Sequence, residues 1–171
     1  MGTHKDFSDL IAFYQNLDSN LPKLEQENPC GSCRECCSYH IVLSGYEFDF
    51  MDLELSRIGA PFSLHFSPLL PGKRDPRLGE PPAPCPLLLR EGGCLVYRAR
   101  PLACRLMGGY LPYHSEPVAR CVYLPHQKVY ATVEEIPSWS HYERILRRHP
   151  SLPGYFSVTY APLEAPLQHS Q

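Results

Sequence analysis

The chain carries a compact cysteine run at residues 30–37, Cys30-Gly-Ser-Cys33-Arg-Glu-Cys36-Cys37. A second set of cysteines follows between residues 85 and 121: Cys85, Cys94, Cys104 and Cys121. Thiolates two residues apart let one short loop direct several sulfurs at a soft metal ion or cluster. We therefore predict that all eight cysteines are metal ligands, and that the loops they hold replace part of the hydrophobic core.

The rest of the sequence favours metal binding over a disulfide framework. The N-terminal segment, MGTHKDFSDL, lacks the basic and apolar regions of a secretory signal, and no apolar run approaches the roughly 20 residues that span a bilayer. We therefore expect a cytoplasmic protein, and in that reducing compartment clustered cysteines are more often metal ligands than disulfides. The adjacent Cys36 and Cys37 argue in the same direction, because a disulfide between neighbours is strained.

The cysteine spacing favours an iron–sulfur cluster over zinc. Cys30, Cys33 and Cys36 have the CxxCxxC spacing of bacterial ferredoxin loops, and Cys85 precedes a proline as the fourth cysteine of that pattern does. Both a [4Fe–4S] cluster and a tetrahedral zinc ion take four sulfurs, so eight cysteines can fill two sites, one cluster with thiols left over, or a centre with bridging thiolates. We predict a [4Fe–4S] cluster, with zinc as the alternative.

One division of the cysteines into two groups follows from this spacing and remains to be tested. Successive side chains of an extended backbone point to opposite sides, so Cys36 and Cys37 are expected to serve different groups. The first group would contain Cys30, Cys33, Cys36 and Cys85. The second would contain Cys37, Cys94, Cys104 and Cys121.

Two arginines, Arg100 and Arg105, flank Cys104 and are the candidate cofactor-binding residues besides the cysteines. Cations near a thiolate-rich site offset its negative charge and donate hydrogen bonds to sulfur. An ordinary ion pair within the fold explains both arginines equally well, so both interpretations stay open. His40, three residues after Cys37, could ligate a metal in place of a cysteine. The sequence identifies no catalytic residue, and enzymatic activity stays an open question.

Local patterns predict a small, irregular α+β domain with a few helices and a short β-hairpin. Apolar residues at helical spacing predict helices over residues 6–18 and 46–59. Pro101 suits the first turn of a short helix that ends near Gly108, and Ser138 is a candidate N-cap for a helix over residues 139–149.

The segments between these helices predict one strand, one loop and one hairpin. Residues 39–43 are predicted to form a strand, residues 60–84 a long loop, and residues 86–97 a hairpin that turns at Gly92 and Gly93. The tail after Pro150 is predicted to be extended.

We expect a single domain over residues 1–171, with the cysteine-rich metal-binding core at 30–121. An N-terminal helix lies within 1–29, and residues 122–171 hold the C-terminal helix and the extended tail. The net charge of −2 predicts no general attraction to nucleic acid or to an anionic membrane. The expected partner is an unidentified protein or redox partner.

The cysteine pattern also resembles a known family. After the CxxCxxCC run and Cys85-Pro86 comes Cys94-Leu-Val-Tyr97-Arg-Ala-Arg100-Pro101-Leu-Ala-Cys104-Arg105, followed by Cys121. This stretch is similar to the C-x-(I/V)-Y-x-x-R-P-x-x-C-R signature of the zinc- or iron-chelating CxxCxxCC domain family, called YkgJ-like. The resemblance covers residues 30–121 and includes all eight cysteines. It implies a metal or iron–sulfur centre, and a relative of the domain in flagellin lysine methylases suggests an iron–sulfur role in protein modification. The methylase activity is not carried over, because this chain is short and has no GxGxxG-type loop for S-adenosylmethionine.

Three functions therefore stay in view. The first is an iron–sulfur protein with a redox or electron-transfer role, which the CxxCxxC spacing and Cys85-Pro86 favour. The second is a zinc-stabilised binding or adaptor module. The third, a metal-dependent protein-modifying enzyme, is implied by the resemblance alone.

Overall fold

The structure is a computed structural model that describes residues 5–21, 37, 41–73, 84–88, 93–106 and 132–160. These ranges contain the helices α1 (Ser8–Asn20), α2 (Gly45–Arg57), α3 (Leu102–Arg105) and α4 (Trp139–Arg148). The strands β1 (Leu43–Ser44), β2 (Phe62–Pro68) and β3 (Pro153–Tyr160) form one antiparallel sheet. Short 3₁₀ helices lie at Tyr97–Ala99 and Val133–Glu135. The predicted α+β class is confirmed.

Helix α1 confirms the predicted N-terminal helix. Its buried residues are three or four positions apart, which places them on one face: Leu10, Phe13, Tyr14 and Leu17. Ile11 lies off this face and is 39% exposed although it is apolar. Phe7 at the N-cap position makes no side-chain capping hydrogen bond, and Asp6 Oδ1 accepts the Ser8 N–H at 2.9 Å instead. Packing on the buried face is therefore the main source of the stability of helix α1.

Helix α2 confirms the second predicted helix and begins at a capping box. The Ser44 hydroxyl accepts a hydrogen bond from the Glu47 N–H, and the Glu47 carboxylate accepts one from the Ser44 N–H. Two orphan donors of the first turn are thereby satisfied. The helix ends at Arg57, before Gly59, whose φ of +66° is in the left-handed region that glycine adopts readily.

The loop predicted over residues 60–84 is wrong in its first part, because residues 62–68 form strand β2. Phe62, Leu64 and Phe66 alternate with polar residues, and all three pack into one hydrophobic cluster. This alternation is a strand signal, and the prolines and glycines that follow it obscured it. Residues 74–83 lie outside the described ranges.

Strand β3 gives the predicted extended tail a definite role as the central strand of the sheet, whose order is β1-β3-β2. Gly154 pairs with Leu43 on one side and Pro68 on the other. A Cβ atom on Gly154 would lie 2.5 Å from the Ser67 carbonyl oxygen. Only glycine fits where the strands approach this closely.

The strand predicted over residues 39–43 is wrong in its bounds. Strand β1 contains only Leu43–Ser44, and Ile41 and Val42 are outside it. Residues 38–40 lie outside the described ranges. Ser44 leads directly into the capping box of α2, so the helix start limits the length of the strand.

Two hydrophobic clusters form the interior. We call the first the helical core; its buried residues are Phe7, Leu10, Phe13, Tyr14, Leu17, Tyr46, Leu102, Leu106, Ile136, Tyr142 and Ile145. We call the second the sheet core; its buried residues are Leu43, Met51, Leu55, Leu64, Leu87, Val96, Ala99 and Phe156. Helix α2 joins them, because Tyr46 belongs to the helical core while Met51 and Leu55 belong to the sheet core.

Helix α4 confirms the predicted C-terminal helix, but the capping role predicted for Ser138 is wrong. Ser138 has a φ of +61°, and its side chain makes no capping hydrogen bond. Its hydroxyl instead donates to Asn16 Oδ1 of α1 at 2.8 Å. The Ser138 hydroxyl therefore bonds to α1 and does not cap α4. In the ranges described, no helix combines the length and apolar character needed to cross a bilayer.

Candidate metal centre

Half of the predicted ligands lie in the described ranges: Cys37, Cys85, Cys94 and Cys104. All four are partly exposed. The other predicted ligands, Cys30, Cys33, Cys36 and Cys121, lie outside these ranges, as does His40.

Cys85 and Cys94 each begin a tight turn of the same design. The Cys85 carbonyl accepts the Leu88 N–H at 3.1 Å, and the Cys94 carbonyl accepts the Tyr97 N–H at 3.1 Å. We call residues 85–88 and 94–97 the two cysteine turns. Both are i to i+3 turns, although one has proline at its second position and the other has leucine.

Each cysteine turn also directs a backbone N–H at its own sulfur. The Leu87 N–H donates to the Cys85 thiol, and the Val96 N–H donates to the Cys94 thiol. The offset is two residues in both turns. The side chains of Leu87 and Val96 are only 2% and 1% exposed, so the sheet core holds both amides in place.

Backbone hydrogen bonds join the cysteine turns to each other and to Cys37. The Leu95 N–H donates to the Leu87 carbonyl at 3.0 Å, and Leu88 and Cys94 form an antiparallel bridge. The Cys85 N–H donates to the Cys37 carbonyl at 2.7 Å. The last residue of the run thus lies directly beside the first cysteine of the second set.

The hairpin predicted over residues 86–97 is confirmed as an antiparallel pairing but not as two regular strands. The arms are the cysteine turns, and the second continues into the 3₁₀ helix Tyr97–Ala99. The i to i+3 bond at Tyr97 starts this helix and ends the pairing. Gly93 has a φ of +92°, as the predicted turn requires, whereas residues 89–92 lie outside the described ranges.

Burial dominates the electrostatics of both sulfurs. It raises the pKa of Cys85 to about 11, against a lowering by the Leu87 N–H and a further rise from the nearby Cys94 thiol. Burial also raises the pKa of Cys94, while the Val96 N–H and the Arg100 guanidinium lower it. The hydrogen bonds favour the thiolates, but they do not outweigh the cost of burying negative charge. Cys85 and Cys94 carry free thiols.

Arg105 is the more buried of the two predicted arginines, with a side chain that is 3% exposed. Its Nε donates to the Arg100 carbonyl at 3.0 Å and its Nη2 to the Arg98 carbonyl at 2.6 Å, while Nη1 pairs with Asp18. Its guanidinium also lies 3.9 Å from the centre of the Tyr14 ring. These contacts make Arg105 a clamp on the segment between Cys94 and Cys104.

Arg100 has a different environment. Its Nη2 lies 3.8 Å from Asp18 Oδ1, and its guanidinium carbon lies 4.1 Å from the centre of the Tyr97 ring. It acts electrostatically on the Cys94 thiol. Its buried Nε has no hydrogen-bond partner in the part of the chain that the structure describes.

Cys104 lies on α3, which a buried carboxylate holds in place. Glu47 is 2% exposed, and its Oε1 accepts the Leu102 N–H at 2.8 Å and the Tyr14 hydroxyl at 2.7 Å. Sequence reasoning missed Glu47 as the link between α1, α2 and α3. The spacing Ser44-x-x-Glu47 was the available signal, because it is the pattern of a capping box.

Neither the described residues nor the comparisons with known proteins identify a metal centre. Within the described ranges, no three His, Cys, Asp or Glu side chains come together as a metal site. No family model, curated protein or solved structure matches this chain. The eight-cysteine ligand set and the resemblance to the CxxCxxCC family therefore stay predictions.

Proposed function

We propose that this chain is a metal-binding protein whose cysteines hold an iron–sulfur cluster of the [4Fe–4S] type, with a redox or electron-transfer role. The single observation that carries the proposal is the pair of cysteine turns. Each presents a partly exposed sulfur that receives a backbone N–H from two residues further on, Leu87 for Cys85 and Val96 for Cys94.

This arrangement suits metal-bound thiolates. A hydrogen bond to the charged form of an acid favours that form, and backbone donors to ligand sulfur tune iron–sulfur clusters. Burial disfavours both thiolates because it removes the water that would stabilise their negative charge, and a bound metal ion supplies the compensating positive charge. The bond from the Cys85 N–H to the Cys37 carbonyl brings Cys37, the last residue of the cysteine run, into the same neighbourhood.

The contacts of Cys85 argue against the division of the cysteines into two groups that was based on their spacing. Cys85 lies close enough to Cys94 for their thiols to interact electrostatically, and its backbone contacts Cys37. The division made on spacing puts Cys85 in a different group from both. One centre that shares ligands from the run and from the cysteine turns accommodates these contacts more simply.

The choice of iron–sulfur over zinc rests on the CxxCxxC spacing and on the proline after Cys85. A cluster bound here would supply one-electron chemistry. We expect its partner to be a redox protein, in a reducing compartment such as the cytoplasm, and neither nucleic acid nor a membrane.

A zinc-stabilised adaptor module is the second candidate, and the cysteine turns favour it too. A structural zinc ion also takes sulfurs on short turns. The alternative of a metal-dependent protein-modifying enzyme rests on the family resemblance alone.

Anaerobic purification of the full chain followed by counts of iron, zinc and acid-labile sulfide tests the proposal. We expect a brown protein with broad visible absorption and matching iron and sulfide. A colourless protein with one or two zinc ions would replace the cluster with the zinc module. A chain that holds neither metal would contradict both candidates.

A matched pair of variants tests the cysteine turns themselves. Cys94→Ser removes a ligand while keeping the size of the side chain, and we expect it to lower the metal content. Val96→Ala keeps the sulfur and its amide donor but removes packing in the sheet core, at about 2 kcal/mol. We expect this variant to unfold more easily and to keep the full metal content. Equal metal loss in both variants would mean that packing, and not sulfur, limits binding.

A further inference from the structure

We propose that Arg100 is a positioning residue of the thiolate centre, and that its Nε–H donates a hydrogen bond to an anionic sulfur there. This inference rests on the proposed metal-binding function and adds to it. The acceptor is either a cysteine thiolate or an inorganic sulfide of the cluster, and both are sulfur anions.

The first argument is the unpartnered donor. A buried N–H without an acceptor is costly, and such groups in folded proteins call for a specific explanation, such as a bound ion. The Nε of Arg100 is buried, and the described part of the chain offers it no acceptor. The side chain is 18% exposed, so water does not surround this atom.

The second argument is the position of the guanidinium. It lies over the ring of Tyr97, the last residue of the second cysteine turn, at 4.1 Å from the ring centre. Asp18 Oδ1 lies 3.8 Å from its Nη2. These two contacts hold the cation beside the turn, where it acts on the Cys94 thiol.

The third argument is the contrast with Arg105. The carbonyls of Arg98 and Arg100, the Asp18 carboxylate and the Tyr14 ring engage the Arg105 guanidinium. Arg105 thereby fixes the backbone carbonyl of Arg100 itself. Arg105 anchors the segment, whereas Arg100 has an unpartnered Nε–H and acts electrostatically on the Cys94 thiol.

A cobalt titration of the metal-free full chain tests the inference, because bound thiolates give Co²⁺ a sulfur-to-metal absorption band. We compare Arg100→Gln, which removes the charge, with Arg100→Lys, which keeps the charge but loses Nε–H. Arg147→Gln is the matched control, since Arg147 has a 74% exposed side chain and pairs with Glu143. Thermal unfolding of each metal-free variant is recorded alongside.

We expect both Arg100 variants to bind Co²⁺ about tenfold or more weakly, the usual loss when a group that contacts a metal ligand is removed. We also expect the absorption band to shift, which a purely structural loss would not cause. Arg147→Gln should match the unmodified chain. In iron-loaded protein, a tenfold change in a one-electron equilibrium corresponds to about 59 mV, towards a more negative potential.

Unmodified binding by Arg100→Lys would overturn the Nε–H assignment, and unmodified binding by Arg100→Gln would reduce Arg100 to a packing role. Should Arg100→Gln fail to fold, Arg100→Lys decides the matter alone. If the unmodified chain gives no sulfur-to-cobalt band, the proposed function fails first. A normal band in the unmodified chain with no effect of either substitution would refute the inference and leave the proposed function standing.

Discussion

The buried carboxylate of Glu47, beside the helical core, accepts four hydrogen bonds from its own chain. At the edge of the sheet core, the sulfurs of Cys85 and Cys94 each receive one backbone amide from the described part of the chain. The donors to Glu47 are the Tyr14 hydroxyl, the Leu102 N–H, and the N–H and hydroxyl of Ser44. A carboxylate with this many partners tolerates burial.

The consequences for charge differ between the two regions. Burial, followed by the neighbouring Glu47 charge, raises the pKa of Tyr14 well above its ordinary value, so the hydroxyl remains a donor. At the cysteine turns, burial raises the thiol pKa values, and within the described ranges each sulfur has a single backbone donor. The Glu47 carboxylate thus has its partners within its own chain, and we expect the cysteine turns to gain stability from an added cation. Arg105 and Arg100 differ in the same way, because the Arg105 guanidinium has acceptors in its own chain, whereas the buried Arg100 Nε has none in the described ranges.

Metal removal should have the largest effect on stability, and the loss of structure should begin at the two cysteine turns. A ligand present at 1,000 times its Kd adds about 4 kcal/mol to the free energy of unfolding, and thiolate sites couple metal binding to folding directly. We expect chelation to lower the unfolding temperature markedly. Hydrogen exchange should quicken first at the Leu95 and Tyr97 amides, which join and close the cysteine turns, before it quickens in α1. Trp139, the single tryptophan, reports on the helical core through its fluorescence. An unchanged unfolding temperature after complete chelation would contradict this prediction.

Glu47→Ala should destabilise the helical core without removing a predicted metal ligand. It leaves the Tyr14 hydroxyl and the Leu102 and Ser44 amides without their acceptor, and we expect a loss of about 3 kcal/mol in the free energy of unfolding. Denaturant unfolding measures it. Asp52→Ala is the matched control, because Asp52 is an exposed acid on the same helix and should cost no more than about 0.5 kcal/mol. Similar losses in both variants would show that Glu47 does not organise the helices.

The two regions also differ in how far the sequence predicts them. The spacing of apolar residues was sufficient for α1 and α2, because one-sided burial leaves a periodic pattern. Helix α4 was predicted from the serine before it and the proline after it, although Ser138 does not cap it. Strand β2 was missed since its alternation is short and lies among prolines and glycines. The role of Ser138 depends on Asn16, more than a hundred residues away, and local capping rules cannot anticipate such a contact.

For the candidate site, sequence spacing identified the cysteines but not their arrangement. Nothing local in the sequence indicates that the Cys85 amide reaches the Cys37 carbonyl, or that Cys85 and Cys94 start turns of the same design. The division of roles between Arg100 and Arg105 was equally hidden, because it depends on Asp18 and Tyr14 in a helix distant in sequence.

The smallest expected effect is the pH dependence of the metal-free protein. The pKa of the Cys85 thiol is about 11 in the folded chain and 9.0 ordinarily, so the folded state holds this proton more tightly than the unfolded state. The contribution to stability is therefore fully present below pH 9 and is lost as the pH rises from about 9 to about 11. We expect a loss of about 1 kcal/mol by pH 10, measured as the difference in denaturant unfolding between the metal-free chain and Cys85→Ser. Metal binding abolishes the effect, because a metal-bound sulfur carries no proton to lose.

Identical pH profiles for the metal-free chain and Cys85→Ser would show that the folded environment does not disfavour the thiolate. The contrast between the hydrogen-bonded Glu47 carboxylate and the disfavoured thiolates of the cysteine turns would then lose its electrostatic basis.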